Sequence, residues 1–191
     1  MRIQIVLAVV IMFSLVGASH VSAQGASRAS QSPWDYPAEI RDPTPHEYQG
    51  MRERFSRAMN YRREQNWSAA APLLRENLAV ESRTYGPSHP VTGMAMFALA
   101  GTVESQGQYD EAEELMFDAI RIAHTWLPED DAWYALANNI LGMCQGANSK
   151  WDLAEASFRR AIQIAEAAGD ERAERIARAN LAETARLRVQ R

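Results

Sequence analysis

The chain has 191 residues, of which 47% are hydrophobic and 23% are charged, and its formal net charge is -4. This hydrophobic fraction is high enough to build a core and too high for an intrinsically disordered chain, and the length fits one domain or two small ones. Because a mildly acidic chain with mixed charges lacks the basic surface that nucleic acids require, we expect no nucleic-acid partner.

Residues 1–23 have the pattern of a secretory signal peptide. Arg2 gives a short positive end, residues 3–16 are almost wholly apolar, and Val21-Ser22-Ala23 offers small residues for cleavage. The alternative is an uncleaved membrane anchor, but the apolar run is shorter than the roughly 20 residues that span a bilayer. We therefore predict an exported protein, periplasmic or secreted, that is free of the membrane after cleavage.

Residues 24–45 are predicted to be a flexible linker. They are rich in Ser, Ala and Pro, and their only aromatic side chains are those of Trp34 and Tyr36. Such a composition is typical of a tether between a leader and a folded domain. The alternative is that Trp34 and Tyr36 dock onto the first helices that follow.

The first pair of predicted helices follows the linker. Thr44 begins the first helix with a hydroxyl cap, a proline at the first helical position and a glutamate three residues on, which is a capping box. This helix runs to about Glu64. Asn66 is the predicted cap of the second helix, from Trp67 to about Thr84. A proline five residues into this second helix predicts an irregular start or a kink there.

Two further pairs and a final helix complete the predicted elements. Ser88 is the predicted cap of the third helix, which ends before Gly107, and Tyr109 opens the fourth helix, through about Thr125. Asp130 is the predicted cap of the fifth helix, because it stands at the position of Ser88 in the next pair. The remaining predicted helices span about 131–146, 151–168 and 170–189, the last capped by Asp170.

The helix pairs repeat with a 42-residue period. Trp67, Tyr109 and Trp151 each open a second helix, and small residues keep the same spacing on both helices of a pair. These small residues are Ala58, Ala100 and Gly142 on the first helices and Ala70, Ala112 and Ala154 on the second helices. A fixed period of this length indicates stacked helical units whose paired helices approach closely. We predict an all-α fold with repeats at about 46–84, 88–126 and 130–168, and a capping helix at 170–189 that shields one continuous core.

The segments 71–80, 85–92 and 106–113 resemble the tetratricopeptide repeat (TPR), in the 42-residue form typified by kinesin light chains. The likeness covers about 46–191, and it makes Pro72 less unusual because the family commonly carries a proline there. It implies a right-handed α-solenoid whose first helices form a groove for a protein or peptide. The family's carboxylate clamp for acidic tails is missing, because its asparagine position holds Met59, Gly101 and Met143 and its lysine position holds Phe55, Phe97 and Asn139.

The register of the first helices predicts which side chains face this groove. The predicted groove residues are Arg52, Phe55, Met59, Arg62, Met94, Phe97, Glu104, Leu136, Asn139 and Met143. In this hypothesis Met and Phe form an adaptable apolar trough for a partner's helix or extended peptide, and Asn139 bonds to its backbone. The alternative is that these side chains pack against their own neighbours.

The sequence offers little catalytic chemistry. No two histidines lie three or four residues apart, no glycine-rich loop for phosphate is present, and adjacent carboxylates are typical of solvated helix faces. We therefore predict no enzyme, no cofactor and no metal site. Cys144 is the only cysteine and is predicted to be a buried apolar residue. Trp133 and Tyr134, with Trp126, are predicted to lock the connector before the fifth helix.

These patterns favour a protein–protein interaction module or adaptor. Its partner is predicted to be a protein or peptide of the cell envelope or the exterior. The alternative is a structural protein that associates with itself through its exposed end helices, as a homo-oligomer without a separate ligand.

Overall fold

A computed structural model describes residues 43–190 as a stack of helices, without strands in this part of the chain. The predicted signal peptide and nearly all of the predicted linker, with Trp34 and Tyr36, lie outside the described residues. The helices are α1 (Pro45–Arg63), α2 (Trp67–Tyr85), α3 (Pro90–Glu104), α4 (Tyr109–Ala123), α5 (Trp133–Ala147), α6 (Trp151–Ala168) and α7 (Glu171–Val189). Within these residues, the all-α fold and the seven predicted helices are confirmed.

Three helix starts follow the caps predicted from the sequence. The Thr44 hydroxyl accepts a hydrogen bond from the Glu47 backbone N–H (3.3 Å), and the Glu47 carboxylate accepts one from the Thr44 N–H (2.9 Å). The Asn66 side chain accepts from the Ala69 N–H at 3.2 Å, and Asp170 accepts from the first turn of α7. These side chains satisfy donors that have no partner within the helix.

Two predicted caps are wrong, by one residue at α3 and by two at α5. At α3 the Nδ1 atom of His89, not Ser88, accepts from the Val91 N–H at 3.1 Å, because Pro90 takes the first helical position that proline favours. At α5 the cap position is held by Ala132, whose side chain cannot accept, and the Asp131 carboxylate before it accepts from the Trp133 N–H at 2.8 Å. The Asp131 N–H donates a hydrogen bond to the Pro128 carbonyl, and the turn closed by this bond leaves Asp130 outside α5.

The proline inside α2 does not interrupt the helix. α2 begins with the regular Asn66 cap and continues through Pro72 to Tyr85, so the predicted irregular start is not seen. The bond that Pro72 cannot donate would reach the carbonyl of Ser68, one turn earlier, and Ser68 is exposed to solvent. Water can therefore solvate the carbonyl that lacks this bond.

The small residues bring the paired helices into close contact, as predicted. Ala58, Ala100, Ala112 and Ala154 are all 0% exposed. A Cβ atom added at Gly142 would lie 2.8 Å from the Phe158 ring, closer than carbon atoms pack. Glycine is thus needed at this crossing of α5 and α6.

The core is nearly, but not wholly, continuous. One large cluster extends from Ala58 to Ala165, and a separate small cluster joins Ala161 and Ile162 to Ala177 of α7. The prediction of one continuous core is therefore wrong at the C-terminal end of the stack, where α7 packs on α6 through a separate cluster. The reason is that α7 buries only Ala177 and Thr184.

The stack curves so that the first helices of the pairs lie on its inner side. α3 contacts α5 and α5 contacts α7 more closely than any two second helices contact one another. The Arg62 side chain also donates from Nη1 to the Ala98 carbonyl (2.8 Å), which ties α1 to α3. Within residues 43–190, the helices lack the combined length and apolarity needed to cross a membrane.

Candidate functional site

One row of equivalent positions on the first helices keeps solvent-accessible side chains. Arg52, Met94 and Leu136 follow the 42-residue period, and Ile176 follows after a 40-residue step because the last connector is shorter. Arg52 is exposed, Met94 and Leu136 are partly exposed, and Ile176 is 37% exposed. We call these four residues the first-helix row. Its three apolar members, Met94, Leu136 and Ile176, lie on α3, α5 and α7 on the inner side of the curve.

The sequence interpretation missed Ile176. It ended the groove at the third pair and treated α7 only as a cap. The signal was present in the 40-residue step from Asp130 to Asp170, which places Ile176 at the position of Leu136. Adding 40 residues to the position of Leu136 would have identified Ile176 as a groove residue.

Four of the ten predicted groove residues are buried. Met59 and Phe97 are 3% exposed, and Arg62 and Asn139 are 4% exposed. The ring of Phe97 packs against that of Trp133, with centroids 5.0 Å apart. Because the first helices touch on the inner side of the curve, side chains at these positions meet the neighbouring helix. These four side chains therefore fit the alternative interpretation, in which the predicted groove residues pack against their own neighbours.

The other six predicted groove residues keep some exposed surface. These six are Arg52, Phe55, Met94, Glu104, Leu136 and Met143. Phe55 and Leu136 also pack partly against the core, and the Arg52 guanidinium lies over the Tyr48 ring at 5.9 Å. Their contact with a partner stays a prediction.

Arg62 is a buried charge beneath the groove. Burial lowers its pKa to about 10, while the nearby Glu104 carboxylate acts in the opposite direction. Arg62 is therefore still charged near neutral pH, and its hydrogen bond to the Ala98 carbonyl compensates part of the loss of hydration. Through this hydrogen bond Arg62 joins α1 to α3.

Asn139 already has hydrogen bonds to its neighbours. Its Nδ2 atom donates to the Met143 sulfur at 3.7 Å, and its Oδ1 atom accepts from the Asn180 side chain at 2.9 Å. The second bond links α5 to α7 across the inner side of the stack. A partner backbone would have to compete with Asn180 for this amide.

Aromatic side chains lock the connector between α4 and α5, as predicted. Trp133 is 5% exposed and Tyr134 is 2% exposed, and their rings meet edge to face. His124, at the end of α4, stacks on Tyr134 with ring centroids 4.9 Å apart. Trp126, in the same connector, has 38% of its surface exposed.

The described part of the chain holds no group of three His, Cys, Asp or Glu residues suited to a metal ion. Cys144 is buried, as predicted, and burial raises the pKa of its thiol to about 12. Such a thiol stays protonated at neutral pH and is a poor nucleophile. That the protein is not an enzyme stays a prediction.

Comparison with known proteins shows which repeats and which fold this geometry is similar to. Residues 54–123 match the model of the tetratricopeptide repeat. A solved structure of nearly identical TPR-like repeats from a putative kinesin light chain of Podosopora anserina has a TM-score of 0.65 and 20% identity, over 77% of this chain and 71% of that one. A singly substituted form of the same repeats has the same score and identity, over 78% of this chain.

The TPR domain of Sgt2 from Aspergillus fumigatus has a TM-score of 0.53 and 19% identity, over 79% of this chain and 83% of that one. No curated protein matches the sequence. At such identities the structural likeness shows the fold, while the matched segment and the 42-residue period show the kind of repeat. Residues 54–123 therefore belong to the tetratricopeptide repeat family, and the described chain as a whole has a fold of that kind.

Proposed function

We propose that this chain is an exported protein-interaction module that binds a helix or extended peptide of a partner protein along the first-helix row. Tetratricopeptide repeats in general form protein-interaction folds. The observation that carries the proposal is the run of accessible apolar side chains, Met94, Leu136 and Ile176, on the inner side of the curve. Export rests on the signal-peptide pattern of residues 1–23.

The spacing of the row suits a regular peptide. Packed helices lie about 8–10 Å apart, so successive members of the row are separated by about this distance. Side chains seven residues apart on an α-helix, or three apart on an extended segment of polyproline II form, lie on one face and are about 10 Å apart. A partner segment with apolar residues at either spacing would place one side chain on each of α3, α5 and α7.

The buried residues beneath the row give it a fixed shape. Arg62 and Asn139 join neighbouring first helices through hydrogen bonds, and Phe97 packs on Trp133. A surface that is already ordered loses little conformational entropy when a ligand binds. The flexible side chain of Met94 can then adapt to the partner without movement of the helices.

The double substitution Met94→Glu with Ile176→Glu tests the row. Two carboxylates would lose their hydration against an apolar ligand, so we expect binding to fall by more than tenfold, or about 1.4 kcal/mol. The measurement is capture from native envelope extract read by mass spectrometry, followed by titration of the purified partner segment.

The matched control is Phe117→Glu, since Phe117 lies on the second helix α4 and is 51% exposed. This control should bind as the wild type does, and all three proteins should have similar melting temperatures because the substituted side chains are at least partly exposed. Equal binding by the double variant, or equal loss by the control, would contradict the proposal.

A further inference from the structure

His89 joins the end of α2 to the start of α3. Its imidazole ring stacks on the ring of Tyr85, the last residue of α2, with centroids 5.0 Å apart and an angle of 19° between the planes. Its Nδ1 atom accepts a hydrogen bond from the Val91 N–H at 3.1 Å, and its backbone carbonyl accepts one from the Gly93 N–H at 3.0 Å. One partly buried side chain thus contacts the end of one helix and caps the next.

This cap requires a neutral imidazole. A neutral ring that accepts at Nδ1 carries its proton on Nε2, and its lone pair on Nδ1 receives the Val91 N–H. A second proton binds at Nδ1 and converts this acceptor into a donor, which breaks the bond to Val91. Pro90 takes the first helical position and has no N–H, so Val91 carries the first backbone donor of α3. Protonation therefore leaves this donor without the side-chain cap.

The position of His89 favours the neutral ring. Burial lowers the pKa of the imidazole below its usual value of 6.5. A positive charge at the N-terminus of a helix is also unfavourable, because the helix dipole is positive there. Attraction between an imidazolium and the Tyr85 ring acts in the opposite direction, but it does not return the lone pair to Nδ1.

Neighbouring charges do not set the protonation state of His89. The first turn of α3 carries no charged side chain, and Arg83, in the last turn of α2, is exposed to solvent. Within residues 43–190 His89 forms no ion pair, and the titratable side chain in contact with it is that of Tyr85. The cause of the lowered pKa is burial, so the bond to Val91 is controlled mainly by the pH of the solution.

The start of α3 positions one member of the first-helix row. Met94 directly follows the first turn of α3. A Cβ atom added at Gly93 would lie 2.9 Å from Ile122 of α4, so this turn is in close contact with its paired helix. The Thr92 hydroxyl donates to the Gly86 carbonyl at 2.7 Å, and this buried bond does not involve the imidazole. Loss of the cap therefore loosens the first turn and Met94, while the connector stays in place.

We propose that His89 is an acid-sensitive latch, which orders the first turn of α3 while its ring is neutral and releases this turn, with Met94, when the ring is protonated. The inference rests on the proposed function, since it describes how the first-helix row is regulated. A loosened turn must be ordered again when a partner binds, and that costs conformational entropy. Mild acid therefore weakens binding along the row.

NMR spectra of the full chain at a series of pH values test the latch without any partner. The observed signals are the His89 ring carbons, the Met94 methyl group and the protection of the Val91 and Gly93 amides from hydrogen exchange. From pH 8 to pH 4.5 both protection factors should fall by about fivefold or more, as the loss of a helix cap predicts. The Met94 methyl resonance should shift as well, and all these changes should share the midpoint of the His89 ring, below pH 6.5.

Two variants identify the group that is responsible. His89→Asn keeps a side chain that caps a helix but does not titrate, so its amide protection should not change over this range. His124→Asn is the matched control, because His124 also stacks on a tyrosine, at 4.9 Å, but stands at the C-terminal end of α4. This control should keep the pH dependence of the wild type.

Wild-type protection that stays constant while the His89 ring titrates would overturn the latch, and so would an equal fall of protection in His89→Asn. Loss of the pH dependence in His124→Asn would also overturn it. No partner takes part in these measurements, so a failure of the latch is distinguishable from a failure of the proposed function, which the substitutions at Met94 and Ile176 test.

Discussion

Glu81 of α2 is a buried acid whose surroundings offer too few hydrogen-bond donors to satisfy both oxygens of a carboxylate. It is 4% exposed, and its Oε1 atom accepts from the Asn77 Nδ2 atom at 2.8 Å. Within the described residues, Glu81 Oε2 and Asn77 Oδ1 have no hydrogen-bond partner. Burial raises the pKa of Glu81 to about 8, although the charge of Arg54 acts in the opposite direction. A protonated Glu81 supplies the O–H donor that the site lacks.

Replacing this acid with its amide should change how stability depends on pH. Below pH 4.5, the usual pKa of glutamate, both the folded and the unfolded wild type hold the proton, so burial adds no cost from ionisation. As pH rises towards about 8, the unfolded chain releases the proton and the folded chain keeps it, so wild-type stability falls. The advantage of Glu81→Gln should therefore grow by a few kcal/mol from pH 4 to pH 8 and then level off.

Urea unfolding of both proteins at four pH values between 4 and 9 measures this difference. Groups that titrate equally in the two proteins cancel in the comparison. A stability difference that is constant with pH would show that Glu81 ionises normally in the fold.

At the residue scale, local patterns predicted most of the caps. Thr44, Asn66 and Asp170 cap their helices because each has a short polar side chain directly before a helical segment. Ser88 looked equally suitable, but the choice between Ser88 and His89 depends on which residue takes the first helical position. The proline that follows them decides that choice, and a search for cap residues alone does not include it.

At the element scale, the sequence predicted the helices well and the groove less well. Amphipathic periods and caps are local, and they gave the bounds of α6 and α7 to within one residue. The burial of Phe97 and Asn139 depends instead on how closely neighbouring first helices approach. That distance is set by packing between pairs, which no single repeat encodes.

Two glycines on α5 should respond oppositely to the same substitution. At Gly142 a Cβ atom would lie 2.8 Å from Phe158, so Gly142→Ala should destabilise the fold by about 1–3 kcal/mol through overpacking. At Gly146 the nearest atoms, on Ala154 and Thr184, are 3.7 Å away, which is ordinary contact. Gly146→Ala should therefore stabilise the fold by up to about 1 kcal/mol, because alanine favours a helix.

Chemical denaturation of the two variants beside the wild type gives both values, and each glycine serves as the control for the other. Equal and favourable effects would mean that α5 and α6 can separate without cost. The close approach of paired helices would then not depend on small residues.

At the scale of the whole molecule, stability should vary along the stack. In a repeat protein each unit is held mainly by its neighbours, so the inner helices have two supporting partners and the end helices have fewer. α3 and α5 each bury ten residues, whereas α7 buries only Ala177 and Thr184. α7 should therefore open more often than the centre of the stack.

Hydrogen exchange read by mass spectrometry can measure this gradient. We expect the backbone amides of α7 to exchange first and those of α3 and α5 last, because exchange follows the free energy of local opening. Uniform exchange along all the described helices would show instead that the stack opens as one cooperative unit, in which the few buried residues of α7 are enough to hold it to the rest.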